Sequence, residues 1–425
     1  MTTAPLAVAF DKGAATPGEV GLGVSKLGPM VTVLGTSQYA QSVAPVLGHF
    51  GDVIPVADGS PAVAKKLADA GARGIVTFSE SMLATTTDLA EALGLPAHER
   101  ETLRLLTDKS AQRQRLHDTG VSPVRCRLVR TPADVPEALA YTGLPAVVKP
   151  ARGEGSRDTY RVDDAAACRD LACKLLRDAG TGSSGHDAMV IEEFLMGAAE
   201  GPFGDYVSVE CASAAGDVTP IAVTGKLPLL PPFRESGQFW PTHLPPAQER
   251  EAAVLAVAAV RALGVTTGLT HTEIKLTPAG PRVIEVNGRL GGHLPELATR
   301  AASLDLIEVA CQIAVGEGAR PSLPALDRVY FQYWSPAPRV SCRLRHVHGH
   351  DAVRRLPGVA MIRPMLRPGD ELADSVGSTH LELVCGEARD HASMLALIEQ
   401  AIDHIRYVFD VEGATVELSA RDLRH

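Results

Sequence analysis

The chain has 425 residues, 45% of them hydrophobic and 21% charged, with a formal charge of -9 at pH 7. At roughly 100–200 residues per domain this length gives two to four domains with enough apolar surface for packed cores, which excludes disorder and fibrous architecture. The acidic balance repels phosphate backbones and anionic lipid surfaces, so neither nucleic acid nor a membrane is an expected partner. No apolar run approaches the ~18 residues of a spanning helix, and Met1 to Phe10 lacks a secretion signal, so a cytoplasmic protein is expected. The 7 cysteines contain no C-x-x-C pair and read as reduced core thiols.

After a Gly-rich, loose start, Val31 to Leu34, Val53 to Val56 and Gly74 to Phe78 read as short buried strands. Helical stretches from Pro61 to Ala72 and Thr85 to Leu95 alternate with them, predicting a parallel sheet covered on its faces. Residues 1–108 are thus expected to form one α/β domain. The strand Ala146 to Lys149, the loop Gly153-Glu-Gly-Ser156 and a return strand from Thr159 to Val162 follow. Asp164 can cap the next helix, and Thr181 to Asp187 reads as a mobile Gly/Ser linker. Beyond it come strands at Met189 to Glu193 and Tyr206 to Cys211, then a Pro-rich loop from Pro228 to Pro246. A helix from Glu249 to Leu263, a hairpin from Leu269 to Asn287, and helices within Glu296 to Gly316 follow in order. A last mixed unit starts at about residue 325 and is expected to end in a helix from Ala392 to Val408.

The hairpin carries the most informative chemistry. If its turn is centred on Ala279, Glu273 faces Glu285, and the two-residue side-chain period puts Asn287 and Arg289 on the face of Glu285. Opposed carboxylates destabilise a hairpin unless a cation shares them, and hard oxygen donors without His or Cys favour Mg²⁺ over zinc. The bland alternative is a solvated polar face. Lys149 ends a buried strand before the Gly153, Gly155 and Ser156 loop, whose backbone N–H groups can approach phosphate oxygens closely. An ordinary hairpin would have the same pattern, and no Walker A sequence is present. Met189 to Leu195 is an apolar strand that breaks into Glu192 and Glu193. His346, His348 and His350 alternate, and an exposed polar strand accounts for them better than a metal site. Trp240 lies in a Pro-rich loop near Glu235 and can either join the core or wall a pocket.

The order of these parts resembles the ATP-grasp superfamily, in particular its carboxylate–amine ligases of the L-amino acid ligase type. The residues that carry the resemblance are Asp108-Lys109-Ser110, Val148-Lys149-Pro150, Glu192-Glu193-Phe194-Leu195 and Ile284-Glu-Val-Asn-Gly-Arg-Leu-Gly-Gly292. It implies an α/β fold, α+β toward the C-terminus, with a Rossmann-like pre-ATP-grasp domain over residues 1–108. A lid subdomain over 109–200 and a C-terminal ATP-grasp domain over 201–425 would follow. Lys109 and Lys149 would contact ATP phosphates under the Gly153, Gly155 and Ser156 loop, while Glu192, Glu193, Phe194 and Leu195 would hold adenine largely through backbone groups. Glu273, Glu285 and Asn287 would bind Mg²⁺, with Mn²⁺ as an alternative ion, and Arg289 would hold the transferring phosphate or a substrate carboxylate. Lys226 would make a further phosphate contact. Glu200 and Asp205 both stand near the place of the ribose-binding acid.

Such ligases carry Phe-x-Glu-x-Gly-His-x-x-Pro before the long helix. The equivalent stretch runs from Phe233 to Pro241 with Gln238 in place of His, and a glutamine cannot titrate near neutral pH. Glu235 would pair with a substrate amino group, Trp240 would wall the same pocket, and Arg289 or the Gly291 and Gly292 backbone would receive an oxyanion. The resemblance therefore implies amide formation, most often of a dipeptide, between an amino acid carboxylate and an amine through an acyl phosphate, with release of ADP and phosphate. A bicarbonate-using carboxylase and a non-catalytic nucleotide-binding module are the alternatives. Small-molecule amino acids are the expected partners, and a homodimer is allowed.

Overall fold

The computed structural model describes residues 4–177, 186–318, 321, 323–374 and 377–424. The linker expected over Thr181 to Asp187 falls mostly outside them. The N-terminal sheet is parallel, in the spatial order Gly51–Pro55, Met30–Leu34, Leu6–Phe10, Ile75–Thr77. Leu6–Phe10 is buried at every position and central in this sheet, so the expectation of a loose start is wrong. Five apolar residues ending at Asp11 were the available signal. Thr16 then opens the helix Pro17–Ser25 with a reciprocal capping box to Glu19, which satisfies its otherwise unpaired backbone donors.

Asp108 accepts from the Ala111 N–H and so caps the helix Lys109–Asp118, which leads into the lid. The lid sheet is antiparallel, in the order Cys126–Val129, Met189–Glu193, Ala146–Pro150, Tyr160–Val162. Helices Val135–Thr142 and Ala165–Arg177 accompany this sheet, and the expected phosphate loop joins Pro150 to Tyr160.

The remaining chain builds an eight-stranded antiparallel sheet in the order Gly280–Asn287, Gly268–Thr277, Tyr206–Ala214, Asp217–Lys226, Gly237–Trp240, Val329–Pro336, His380–Ala388, Val359–Pro364. Strands from the last part of the chain therefore extend the same sheet. The expected terminal helix is His391–His404, and Arg406–Val411 is a strand instead, paired with Cys342–His348 and Ala414–Ser419. Tyr407 and Phe409 alternate inward along it, a period of two that helical reading of the segment missed.

Polarity divides the large sheet. Val207, Val209, Val223, Ile274 and Val286 pack with Ala252, Ala256 and Val260 of the helix Pro246–Ala262. The alternate residues Ser208, Glu210, Thr224, Lys226, His271 and Gln238 are polar yet buried, so this second face is a closed polar surface. A further core joins Val8, Phe10, Val20 and Val24 of the N-terminal domain to Leu290, Leu294, Leu297 and Ile307. A Cβ on Gly23 would lie 2.6 Å from Ile307 Cβ, so only glycine allows this close approach. The N-terminal domain is thereby seated beside the polar face. Among the described residues no helix is long and apolar enough to cross a membrane.

Candidate active site

The hairpin pairs Glu273 with Glu285 and His271 with Asn287. The turn itself is tighter than expected, with Thr277 opposite Gly280, and a bulge between Glu273 and Ile274 restores the pairing at the carboxylates. Across the sheet Glu273 continues to Ser208 and Thr224, and His271 to Glu210. The opposed carboxylates are balanced by cations. Lys109 Nζ donates to Glu285 Oε1 at 2.7 Å and to the Gly153 carbonyl at 2.6 Å. Burial alone would push the Lys109 ammonium down, but the Glu285 carboxylate outweighs it and the net shift is upward.

His271 lies between two acids, bonded through Nδ1 to buried Glu210 and standing 3.6 Å from Glu273 through Nε2. Desolvation opposes its charge, yet Glu210 and Glu273 raise it to about 9, so the ring is an imidazolium near neutral pH. Burial would raise Glu273, but His271 with the more distant Lys226 and Arg289 carries it down to about 2. Glu273 and Glu285 with the amide oxygen of Asn287 form a hard-oxygen set that suits Mg²⁺. Among the described residues no three His, Cys, Asp or Glu side chains gather as a metal cluster.

Lys149 and Glu192, expected at the phosphates and the adenine hinge, lie together. Glu192 is buried and takes a two-pronged bond from Arg113, 3.0 Å on each arm, with Lys149 Nζ at 3.1 Å. Its side chain is therefore committed to the lid core. Glu193 turns outward to Arg125, 2.7 Å away. The Phe194 N–H donates to the Pro145 carbonyl at 3.1 Å, while Arg161 covers the Phe194 ring at 4.6 Å. Among the described residues the Leu195 N–H has no backbone partner.

Beyond the hinge, a Cβ on Gly197 would fall 1.7 Å from Asp205 Oδ2, and Asp205 pairs with Lys275 at 2.6 Å. Glu200 points to His243 at 3.5 Å, whose ring stacks on Phe203. The two candidate ribose acids are thus separated.

The phosphate loop is closed onto the large domain. Arg289 reaches Glu154 of the loop at 3.3 Å and Glu80 of the N-terminal domain at 3.6 Å. The Ser378 N–H donates to the Gly155 carbonyl at 3.0 Å. Ser156 holds a left-handed backbone with φ 54°.

Gln238 forms a fixed bridge. Its Oε1 accepts from Lys226 Nζ at 3.1 Å, and its Nε2 donates to the Gly292 carbonyl at 3.0 Å and to Gln332 Oε1 at 2.9 Å. One acceptor and two donors are all used, which a neutral imidazole with a single donor could not match. Lys226 Nζ also stands 3.6 Å from Glu235 Oε1 and faces the Trp334 ring at 5.8 Å.

Trp240 corrects the expectation of a pocket wall. It is buried in the core shared with Leu290 and Leu294, whereas Trp334, which motif reading missed, stands by Lys226, His293 and His380. The Gly291 N–H is directed at Glu210 Oε2, 3.4 Å away, so only Gly292 keeps an N–H for an oxyanion. A Cβ on Gly291 would come 2.5 Å from His271 Nδ1. Gly291→Ala should therefore displace the loop carrying Arg289 and cut turnover at least about tenfold, while calorimetry still detects nucleotide binding. Unchanged turnover would mean the loop geometry is not needed.

Two remaining readings are settled by side-chain placement. His350 bonds Glu382 at 2.6 Å while His346 and His348 stack on each other, so the histidines do not converge. Cys168, Cys211, Cys311, Cys342 and Cys385 are buried, whereas Cys126 and Cys173 are only half-buried rather than in the core.

No protein-family model matches the chain. An uncharacterised protein of Sinorhizobium fredii, y4rH, is 32% identical over 345 residues, which cover 78% of this chain and 67% of that protein. Human carnosine synthase 1 is 30% identical over 272 residues, 60% of this chain and 32% of the synthase. The crystal structure of an L-amino acid ligase from Bacillus licheniformis superposes with a TM-score of 0.76 at 20% identity, covering 95% of this chain and 98% of the ligase. In fold and over part of its sequence the chain is similar to ATP-grasp carboxylate–amine ligases. It spans about a third of the length of the carnosine synthase it matches. With 20% identity the ligase structure speaks for the fold, and the Glu273, Glu285 and Asn287 face with Lys109, Lys149 and Arg289 around it is this chain's own contribution to the site.

Proposed function

We propose that this chain uses ATP to join the carboxylate of one amino acid, or a similar small acid, to the amine of another, giving an amide, ADP and phosphate. The observation that carries this reading is the pair Glu273 and Glu285 in register, flanked by Lys109 and by Arg289, under a glycine loop. A carboxylate does not acylate an amine unaided, so its oxygen first attacks the γ-phosphorus of ATP and forms an acyl phosphate. Lys109, Lys149 and the N–H groups of the Gly153 to Ser156 loop hold the phosphates in line and offset their charge. Glu273, Glu285 and Asn287 would hold Mg²⁺, which supplies Lewis-acid neutralisation of the phosphate oxygens when bound.

Glu235 takes the ammonium of the acid-donating amino acid, and Lys226 beside it steers an anionic oxygen. Arg289 and the Gly292 N–H face the tetrahedral oxyanion formed when the amine attacks. Gln238 moves no proton. It fixes Lys226 against Gly292, so it positions both steps. Asp205, packed under Gly197 beside the hinge, suits the ribose hydroxyls better than Glu200, which is turned to His243.

The deciding experiment is a screen of amino acid pairs for phosphate release, followed by nucleotide analysis. ADP and phosphate should accumulate one-to-one with amide. Stoichiometric AMP would overturn the mechanism, and bicarbonate-dependent ADP formation without an amino acid would replace it with carboxylation.

A further inference from the structure

We propose that Glu80, supplied by the N-terminal domain, is a further catalytic residue that takes the proton from the attacking amine. The inference rests on the ligase reading above. Glu80 Oε2 and Arg289 Nε face each other at 3.6 Å, beyond hydrogen-bond distance. Both atoms are buried, and neither has a hydrogen-bond partner among the described residues. A buried acceptor and donor left open across one gap are satisfied by a ligand that can both donate and accept, as an attacking amine and its developing oxyanion do together.

Glu80 is also held in place. The preceding Ser79 donates from Oγ to the Asp11 carbonyl at 2.6 Å and accepts from the Asp11 N–H at 3.0 Å, while Thr77 Oγ1 donates to the Ala9 carbonyl at 2.7 Å. The carboxylate thus stands on a fixed turn at the end of the parallel sheet, opposite a guanidinium carried by the large domain.

The other groups at the site are committed elsewhere. Arg289 has no lone pair to accept a proton, and Lys109 is bonded to Glu285. His271 is closed between Glu210 and Glu273, Gln238 has no proton to exchange, and Glu235 lies by Lys226. The charges that face Glu80 are Arg289, Glu285, Lys109 and Glu154. Burial among them raises its carboxyl to about 7, a value suited to exchanging a proton near neutral pH.

The step balances as follows. The amino acid enters as its ammonium, gives one proton to the Glu80 carboxylate and attacks the acyl carbon as the free amine, and the C–N bond forms as the carbonyl electrons move to oxygen, opposite Arg289. The second proton, on the now cationic nitrogen, passes to the departing phosphate. The C–O bond to phosphate then breaks, and phosphate leaves with the bonding pair.

Hydroxylamine, largely unprotonated at neutral pH, separates this role from acyl phosphate formation. Wild-type protein with ATP, Mg²⁺ and a productive acid should yield hydroxamate with hydroxylamine and amide with an amino acid. Glu80→Gln, close in shape, should keep hydroxamate formation within about threefold of wild type while amide formation falls about 100-fold or more. Glu80→Asp, with the carboxylate drawn back, should fall between the two. Equal loss of both products in Glu80→Gln with nucleotide binding intact would make Glu80 a positioning residue, and unchanged amide formation would remove it from the chemistry. If the wild type gives neither hydroxamate nor acid-dependent ADP, the ligase reading itself fails, and the proposal fails with it.

Discussion

Glu285→Ala should lower turnover by about 10²–10³-fold at saturating Mg²⁺ while ATP affinity changes only a few-fold. Glu285 is the point where three elements meet. It stands on Gly280–Asn287 opposite Glu273, and it receives Lys109 from the start of the lid at 2.7 Å. Removing it takes away an oxygen donor from the proposed Mg²⁺ set and the acid that raises the Lys109 ammonium against its burial. Charge develops there during phosphoryl transfer, so the loss falls on the transition state more than on the bound nucleotide. Lys149 and Glu192 lie on the lid sheet, Arg113 reaches them from the helix Lys109–Asp118 and Leu195 follows the strand Met189–Glu193, and all are expected to stay in place. Asn287→Ala should act in the same direction but less, because a neutral amide contributes less to a hard cation than a carboxylate. Steady-state ADP release, with nucleotide binding measured by calorimetry, checks both variants. Near wild-type turnover in Glu285→Ala would refute the site built on this hairpin.

That hairpin shows how far the amino-acid sequence carries and where it stops. The pairing of Glu273 with Glu285 was legible from side-chain alternation, yet the turn is one residue tighter and a bulge that leaves Ile284 without a partner makes up the difference. Two local departures cancel, and nothing in periodicity announces either of them. Lys149 was legible as a charge before a glycine loop, whereas Lys109 came only from the family resemblance and Arg289 from side-chain alternation along the hairpin. Their partners were not legible: Arg113 meets Glu192 across 79 positions, and Glu80 meets Arg289 only when two domains dock. Trp240 and Trp334 illustrate the same limit. Both are buried strand tryptophans, and only the sheet order Gly237–Trp240 beside Val329–Pro336 decides which one stands over Lys226. The strand Leu6–Phe10 was missed because its alanines weaken the β signal, although burial on both faces explains the unbroken apolar run.

Glu192→Ala should cost the lid about 3–5 kcal/mol, the largest stability effect expected of any single substitution here. Glu192 is buried with Arg113 and Lys149, and its two oxygens receive three bonds of 3.0, 3.0 and 3.1 Å. Removing the acid leaves two cations without a counter-charge in a place closed to water, and a guanidinium cannot discharge by losing its proton. Burial alone would raise the Glu192 carboxyl, but Arg113 and Lys149 hold it down to about 2. A depressed folded value means that the stabilisation is complete above the ordinary carboxylate range. It is lost as pH falls from about 4.5 toward 2, where Glu192 is protonated in the folded state as well. The urea midpoint of wild type should therefore fall through that window, whereas Glu192→Ala should start lower and lose less across it. Arg113→Ala combined with Glu192→Ala should cost less than the two single changes added, because each removes the partner whose isolation made the other expensive. A Glu192→Ala protein that unfolds at the wild-type urea midpoint at pH 7 would show that the lid does not depend on this ion network, and Lys149 would need another explanation for its place beneath the phosphate loop.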